Sequence, residues 1–333
     1  MTTEQTTGTR WGILGPGGIA RRFATGIQSA KDARIVAVGS RSAEGAEKFA
    51  GEFDVPNRHA SYEALVADPE VDVIYVSTPH PYHRDAVLLA LSAGKPVLCE
   101  KPFTVNAAEA ENLIREARAR NLFLMEAMWS RFFPAMVRFR ELIAEGAIGE
   151  PRQLHADFGF RASLNPEGRL FKRELGGGAL LDVGVYVVSL ASMVFGEPDD
   201  ITGTAHIGET GVDEQTVIGL RYPGGQLAQL SCAVRTATPV QATLYGTDGS
   251  LSIESPWYSP AQLTLRQTGK DEQRIDLPFV GSGFNYEAEH VGQCLRDDLT
   301  ESPIMPLDET LSIIRTLDRV REPWGLRYPA DDR

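Results

Sequence analysis

"WGILGPGGIARRF", residues 11–23, is where the fold is decided. A short apolar run ends in Gly15 and Gly17, Ala20 follows at G-x-G-x-x-A spacing, and the pattern then turns helical as far as Ser29. At a strand-to-helix junction each residue has a physical use. Gly15 permits the tight turn, Gly17 lets backbone approach a pyrophosphate, and Ala20 allows close helix–strand packing; Gly18 and Ile19 belong to the same turn. The helix start adds free N–H groups and a partial positive charge for the phosphates.

Working outward, strand-like and helix-like segments alternate. "ARIVAVGS" (33–40), "VDVIYVST" (71–78), "KPVLCE" (95–100) and "LFLMEA" (122–127) are apolar strands, separated by helical patterns over 42–53, 83–94 and 107–120. Nearly all-apolar strands alternating with helices predict a parallel sheet covered on both faces. After about Trp129 the character changes. A helix over 134–145 leads to the alternating "RQLHADFGF" (152–160), a glycine-rich helix over 176–195, and strands joined by "YPGGQ" (222–226) and "GTDGS" (246–250). Such turns predict antiparallel pairing, and 285–321 returns to helical periodicity. The expected fold is α/β: a Rossmann, doubly wound domain over 9–128, then an α+β domain over 129–333 with a large, mostly antiparallel open sheet.

The length of 333 residues fits about two domains. A formal charge of -12 argues against nucleic acid or anionic membrane as partner. Three scattered cysteines and six histidines show no C-x-x-C or metal-ligand spacing, so neither a disulfide framework nor a metal site is expected. The polar start lacks an apolar signal region, and no window approaches the length of apolar run that a membrane span requires. The expectation is a cytoplasmic protein.

The end of the second strand chooses the dinucleotide. An NAD binder usually places an acid there for the ribose hydroxyls; here "VAVGSRS" supplies Ser40, Arg41 and Ser42. A carboxylate would repel a 2′-phosphate, whereas a guanidinium and hydroxyls would hold it, so NADP is expected over NAD.

Taken together, "GPGGIA" (15–20), "SR" (40–41), "TPHPYH" (78–83), "EKP" (100–102), "MEAMWSRFFP" (125–134) and "GGGALLDVGVY" (176–186) resemble the Gfo/Idh/MocA oxidoreductase family, most of all its dimeric dihydrodiol dehydrogenase and NADP-dependent D-xylose dehydrogenase branch. The resemblance implies hydride transfer between NADP and a sugar, polyol or trans-dihydrodiol carbon, and a homodimer formed through the C-terminal sheet. Two departures stand out. Many relatives carry histidine where this chain has Tyr186, and the acid of the NAD-using members is missing.

The stretch "PVLCEKPFTV" (96–105) delivers Glu100 and Lys101 to the carboxyl edge of a parallel sheet, where Pro102 stops the strand. Neighbours on a strand point to opposite faces. Lys101 goes to the substrate side, as the family's "EKP" lysine implies, and Glu100 takes a supporting role at the cofactor side. Whether Lys101–Pro102 is cis stays open. On the apolar helix after the triple glycine, Asp182, Tyr186 and Ser189 stand at i, i+4 and i+7 in one stripe. The glycines are read as letting backbone pass close to substrate or nicotinamide. A free phenol and a free lysine titrate near about 10 and about 10.4, so neither is a base at neutral pH without help. The expected scheme has Tyr186 exchange the proton, Lys101 polarise the substrate oxygen and lower the phenol's pKa, and Asp182 orient the pair.

Thr78, Pro79, His80 and His83 lie at the same edge and are assigned to the cofactor side, His83 neutral because it starts a helix. Trp129, Phe158, Phe160 and Phe284 are candidates for an apolar wall over the substrate. Arg161 and Arg169 are open between holding substrate hydroxyls and being surface charges. Two other readings stay open at this level: an enzyme that retains its cofactor, such as an NAD-assisted glycosidase or epimerase, and a non-catalytic NADP sensor. The first would release no NADPH, and the second would turn over nothing.

Overall fold

The computed structural model describes residues 8–332. Cα packing divides the chain into two compact units. One holds the residues up to Phe103 with Ala108–Phe132 and Val280–Leu307; the other holds Thr104–Ala107, Phe133–Phe279 and the chain from Asp308 onward.

The first unit begins with β1 (Thr9–Leu14), α1 (Gly18–Ile27), β2 (Ala33–Gly39), α2 (Ala43–Phe53), β3 (Asn57–His59), α3 (Tyr62–Val66), β4 (Val73–Val76), α4 (His83–Ser92), β5 (Val97–Glu100), α5 (Ala107–Arg120) and β6 (Leu124–Ala127). Its strands pair in the order β3-β2-β1-β4-β5-β6, parallel throughout. This is the doubly wound order whose chain reversal lies beside β1 and places ligands at the carboxyl ends. The reason is in the residues. β4, β5 and β6 are buried along their whole length, as strands covered on both faces must be. α1 buries Ala20, Phe23, Ala24 and Ile27, the i, i+3, i+4, i+7 stripe of a helix on a sheet. Ser42 and Ser61 accept the Gly45 and Ala64 N–H groups and so begin α2 and α3. β3 was not anticipated; three polar residues carry no apolar period.

The second unit contains α6 (Pro134–Ala144), β7 (Pro151–Gly159), a π-turn (Leu180–Gly184), α7 (Val185–Phe195), β8 (Asp200–Ile207), β9 (Asp213–Arg221), β10 (Leu227–Ala233), β11 (Ala242–Gly246), β12 (Gly249–Ile253), β13 (Gln262–Gln267) and β14 (Gln273–Asp276). Its eight strands run β14-β13-β12-β11-β7-β10-β9-β8. All neighbours are antiparallel except β7 and β10. The parallel pair follows from the crossover between them, which carries the π-turn and α7. The two Gly-containing turns fall where the sequence placed them, between β9 and β10 and between β11 and β12. β9 and β10 alternate in burial: α7 covers one face, while the other exposes Val217, Leu227 and Tyr245.

Two helices close the chain, α8 (Phe284–Arg296) and α9 (Leu307–Arg321). α8 belongs with the first unit, a segment the sequence reading left in the 129–333 half. Its Phe284 ring meets Phe23 of α1 edge-on at 6.5 Å.

Two expectations are corrected here. The single helix over 176–195 instead begins only near Leu180, as the wide π-turn followed by α7, and a separate 3₁₀ turn (Arg173–Leu175) precedes the glycines. Taken as one stretch, Arg173–Phe195 is also long and apolar enough to cross a membrane, contrary to the sequence reading. It serves as core: 83% of its apolar window is buried inside the protein.

Candidate functional site

In the first unit, Gly15 stands at φ +91, a conformation that a side chain resists, and its N–H donates to Gly39 O at 3.1 Å at the end of β2. The Ser77 hydroxyl donates to Gly15 O at 2.9 Å. Gly17 and Gly18 are exposed, and a Cβ added at Gly18 would meet nothing within 4 Å. Ile19 is half-buried and Ala20 fully buried against the sheet. The turn therefore leaves open space before the first N–H groups of α1, as a bound pyrophosphate requires.

Beside it, Ser40 is buried and accepts the Ser42 N–H at 3.4 Å, while Ser42 caps α2. Arg41 is exposed. Among the described residues its guanidinium makes no hydrogen bond or ion pair. It borders a cavity of about 370 Å³ lined also by Tyr62, Thr78, Pro79, Tyr82 and Leu89. Burial raises the Tyr62 phenol above its ordinary pKa, opposed by Arg41. Tyr62 carried no motif that could have marked it, and Tyr82, although inside "TPHPYH", was not singled out.

His83 is fully enclosed. Its Nε2 lies 2.8 Å from Thr78 O and its Nδ1 lies 3.0 Å from Pro102 O and 3.3 Å from Phe103 O. Burial lowers its pKa, against the pull of those carbonyls. The direction matches the expectation; the largest cause is enclosure, and the ring ties the loop after β4 to the loop after β5. His80 is buried with its ring 5.7 Å from that of His83. Glu100 is buried and accepts from the Tyr75 hydroxyl and, at 3.2 Å, from the Lys101 N–H. The carboxylate thus holds the backbone from which Lys101, half-buried, extends. The Lys101–Pro102 peptide is cis. Trp129 and Phe284 stack at 4.4 Å and 2°. One residue escaped the sequence reading altogether: Glu287 on α8, wholly buried, has no hydrogen-bond partner for either oxygen among the described residues. Burial, reinforced by Glu100, pushes its carboxyl well above the usual range.

In the second unit, the π-turn carries Asp182 and the first turn of α7 carries Tyr186, both buried. Arg169 donates to Asp182 Oδ1 at 2.6 Å, with the arginine side chain 46% exposed and the aspartate 8%. Arg169 is therefore a partner of Asp182, a pairing the sequence could not choose. The Tyr186 ring lies 5.2 Å from Phe158, which stacks on Tyr258 at 4.5 Å and 5°. Phe158 and Phe160 both pack against the cluster of Phe171, Ala179, Val183, Cys232 and Val234. Arg161 is exposed and bridges through its backbone to Arg235. The triple glycine does not behave as expected: its close approach is to the chain itself. A Cβ at Gly177 would lie 2.9 Å from Leu170 O, and one at Gly178 would lie 2.2 Å from Asp213 Oδ1. Among the described residues no three His, Cys, Asp or Glu side chains form a potential metal site.

Comparison with known proteins defines the class. Residues 9–128 match the oxidoreductase family with an NAD-binding Rossmann fold, and residues 136–252 match the GFO/IDH/MocA C-terminal domain. The chain belongs to the Gfo/Idh/MocA oxidoreductase family. It is 41% identical over 336 residues to a trans-1,2-dihydrobenzene-1,2-diol dehydrogenase of Mus musculus, covering 97% of this chain and 99% of that one. The counterpart from Xenopus laevis is 43% identical over 333 residues, covering 96% and 99%. Among solved structures, a 3-ketoreductase from Actinomadura kijaniata in complex with NADP and TDP-benzene superposes with TM-score 0.83 at 27% identity, covering 95% of this chain and 97% of that one. The protein is thus an oxidoreductase with a nicotinamide-dinucleotide-binding Rossmann domain.

Proposed function

We propose that this enzyme is an NADP-dependent dehydrogenase or reductase acting on a hydroxyl-bearing carbon of a sugar, polyol or trans-dihydrodiol. The bound nicotinamide would supply or take up the hydride. The open turn Gly15–Gly17–Gly18–Ile19–Ala20 and the N–H groups of α1 would hold the pyrophosphate. Ser40, Arg41 and Ser42 would hold the 2′-phosphate, and Thr78, Pro79 and His80 the flank of the same cofactor.

Lys101 polarises the substrate oxygen, with its backbone fixed by Glu100. Tyr186 exchanges the proton, and Asp182, tied to Arg169, orients that exchange. A nearby ammonium lowers a phenol's pKa by stabilising the phenolate. Trp129 and Phe158 supply apolar surface for a ring or for the C–H face of a sugar. The observation that carries this reading is Tyr186 itself: a phenol buried on a mostly apolar helix, one turn beyond a buried carboxylate. Burying polar groups has a free-energy cost that a purely structural helix has no reason to carry.

We also place a second copy of the chain on the open sheet face, where Val217, Leu227 and Tyr245 are exposed together. We assign the protein to the cytoplasm, where its three buried free cysteines are kept reduced.

The decisive experiment screens pentoses, hexoses and trans-dihydrodiols with NADP and NAD in parallel, for the parent and for Tyr186→Phe. Turnover with NADP, lowered by about 10²–10⁴ in Tyr186→Phe with unchanged NADP affinity, is the expected result. A fully active Tyr186→Phe would move the proton role to Lys101. No turnover across the panel would favour a sensor.

A further inference from the structure

The turn that leads into Asp182 and Tyr186 is held by residues far away in sequence. Leu180 N–H donates to Asp213 Oδ2 at 2.7 Å, and the Thr216 hydroxyl donates to the same oxygen at 3.0 Å. The first N–H groups of a helix have no acceptor within it, so a carboxylate placed there removes an orphan donor and meets the positive end of the helix dipole. Three residues upstream, Gly177 O accepts the Tyr328 hydroxyl at 2.8 Å. Asp213 and Tyr328 are both buried, and Gly178 lies pressed between them: its added Cβ would sit 2.2 Å from Asp213 Oδ1 and 3.3 Å from the Tyr328 hydroxyl.

Tyr328 is in turn anchored. The Arg321 guanidinium stands 5.0 Å over its ring and bridges to Asp318 at 2.7 Å and Asp331 at 2.6 Å. Asp331 accepts the Tyr328 N–H at 2.8 Å, and the Asn106 amide donates to Asp331 at 3.0 Å. The C-terminal segment is therefore a strut that runs from an ionic knot to the glycine turn.

We infer that Asp213 and Tyr328 are positioning residues of the active site, which fix the turn from which Asp182 and Tyr186 are presented. This rests on the assignment of proton exchange to Tyr186. Asp213 works as an acceptor, and its charge is dispensable. Oδ1 has no hydrogen-bond partner among the described residues, so a proton can sit there while Oδ2 still accepts both donors. Burial pushes the carboxyl up to about 7, against the N–H groups of Leu180 and Ala179 and the Thr216 hydroxyl. The other titratable groups that feel it are Tyr328, from the C-terminal segment, and Cys232, from β10; both are raised chiefly by burial. Asparagine at 213 keeps the accepting oxygen; alanine does not.

The test uses the full chain with NADP bound. Tyr328→Phe, Asp213→Ala and Asp213→Asn are compared with the parent, each alone and combined with Tyr186→Phe, on whichever of trans-1,2-dihydrobenzene-1,2-diol and D-xylose the parent oxidises. Hydrogen–deuterium exchange of residues 176–186 is followed in parallel. The expected result is a loss in kcat of about tenfold for Tyr328→Phe and for Asp213→Ala, the scale of one buried hydrogen bond, with NADP affinity unchanged. Exchange at 176–186 should rise, and Asp213→Asn should return kcat to within about threefold of the parent. In the Tyr186→Phe background the further loss should vanish, because residues acting through one group are not additive. If Asp213→Ala does not fold, Tyr328→Phe decides alone. Parent-level exchange at 176–186 in Tyr328→Phe, or the same slowing in the Tyr186→Phe background, overturns the inference. Full activity of Tyr186→Phe alone would overturn the proton assignment instead, so the two failures are separable.

Discussion

The protein uses a run of glycines twice, to opposite ends. At the end of β1 the absent side chains leave empty space: nothing stands within 4 Å of where a Cβ on Gly18 would be. At Gly177 and Gly178 the absent side chains are filled by the protein itself, with Leu170, Asp213 and Tyr328 pressed against the backbone. The first turn is built to receive a ligand, and the second is built to be held still. The same residue type in the same kind of position before a helix therefore says little until its surroundings are known. What separates the two is who occupies the vacated volume.

The largest effect that can break this contrast comes from putting one methyl group at each turn. Gly178→Ala forces a side chain into φ +120 and against Asp213 at 2.2 Å. Strain and overpacking together should cost about 2–5 kcal/mol. That lowers the melting temperature by about 3–7 °C for a chain of 333 residues. Gly18→Ala opens α1 with a better helix former and meets no atom. Its melting temperature should hold or rise, by up to about 1 kcal/mol of helix propensity, while NADP binding weakens because the methyl enters the phosphate space. Scanning calorimetry and cofactor titration on the two variants read both effects. Equal destabilisation would show that the first turn is a packed turn as well.

Asp213 sharpens the same contrast through pH. Its carboxyl moves from 3.8 in the unfolded chain to about 7 in the fold. Across that window the folded state holds the proton and the unfolded state does not, so stability falls as pH rises. The contribution is fully present below the unfolded value and gone above the folded one. Each pKa unit is about 1.36 kcal/mol. Asp213→Asn should therefore unfold at higher urea than the parent at pH 8, with the gap closing towards pH 4. Asp68, Asp72 and Asp331 have carboxyls held below the ordinary range by their partners and contribute the opposite slope at lower pH. They are common to both proteins and cancel in the difference. Parallel curves would mean that Asp213 is ionised and solvated near its ordinary value.

The contrast also explains what could be read in advance. The Rossmann half was legible because its signals are local: apolar strands, a helix with one apolar face, and a glycine spacing that constrains six consecutive residues. The second sheet was legible from its turns. Three polar residues of β3 gave no period to detect. α8 shows an apolar face in sequence, but nothing in that face says that α1 covers it. In the site, Lys101, Asp182 and Tyr186 stood out through a strand end, a stripe and a family resemblance. Tyr62 and Tyr258 did not, because each matters through what it touches; Arg169 was a candidate, but its pairing with Asp182 was not legible. Tyr328 and Gly177 are 151 positions apart, and no local pattern records such a contact.

The smallest effect concerns the open turn's neighbour. Arg41 has no partner of its own among the described residues, although the acid Glu63 lines the same cavity. An arginine kept unpaired beside a cavity is available to an anion, and a 2′-phosphate is the one group that distinguishes NADP from NAD. A hydrogen bond to a charged group is worth about 1.5–3 kcal/mol. Arg41→Ala should therefore weaken NADP by about tenfold to a hundredfold and leave NAD nearly as before, with the difference shrinking at high salt because the side chain is exposed. Fluorescence titration with both cofactors at two ionic strengths reads all three expectations. Equal weakening of NAD and NADP would place Arg41 against the adenine or the pyrophosphate, and the cofactor preference would then have to come from Ser40, Ser42 or Tyr62.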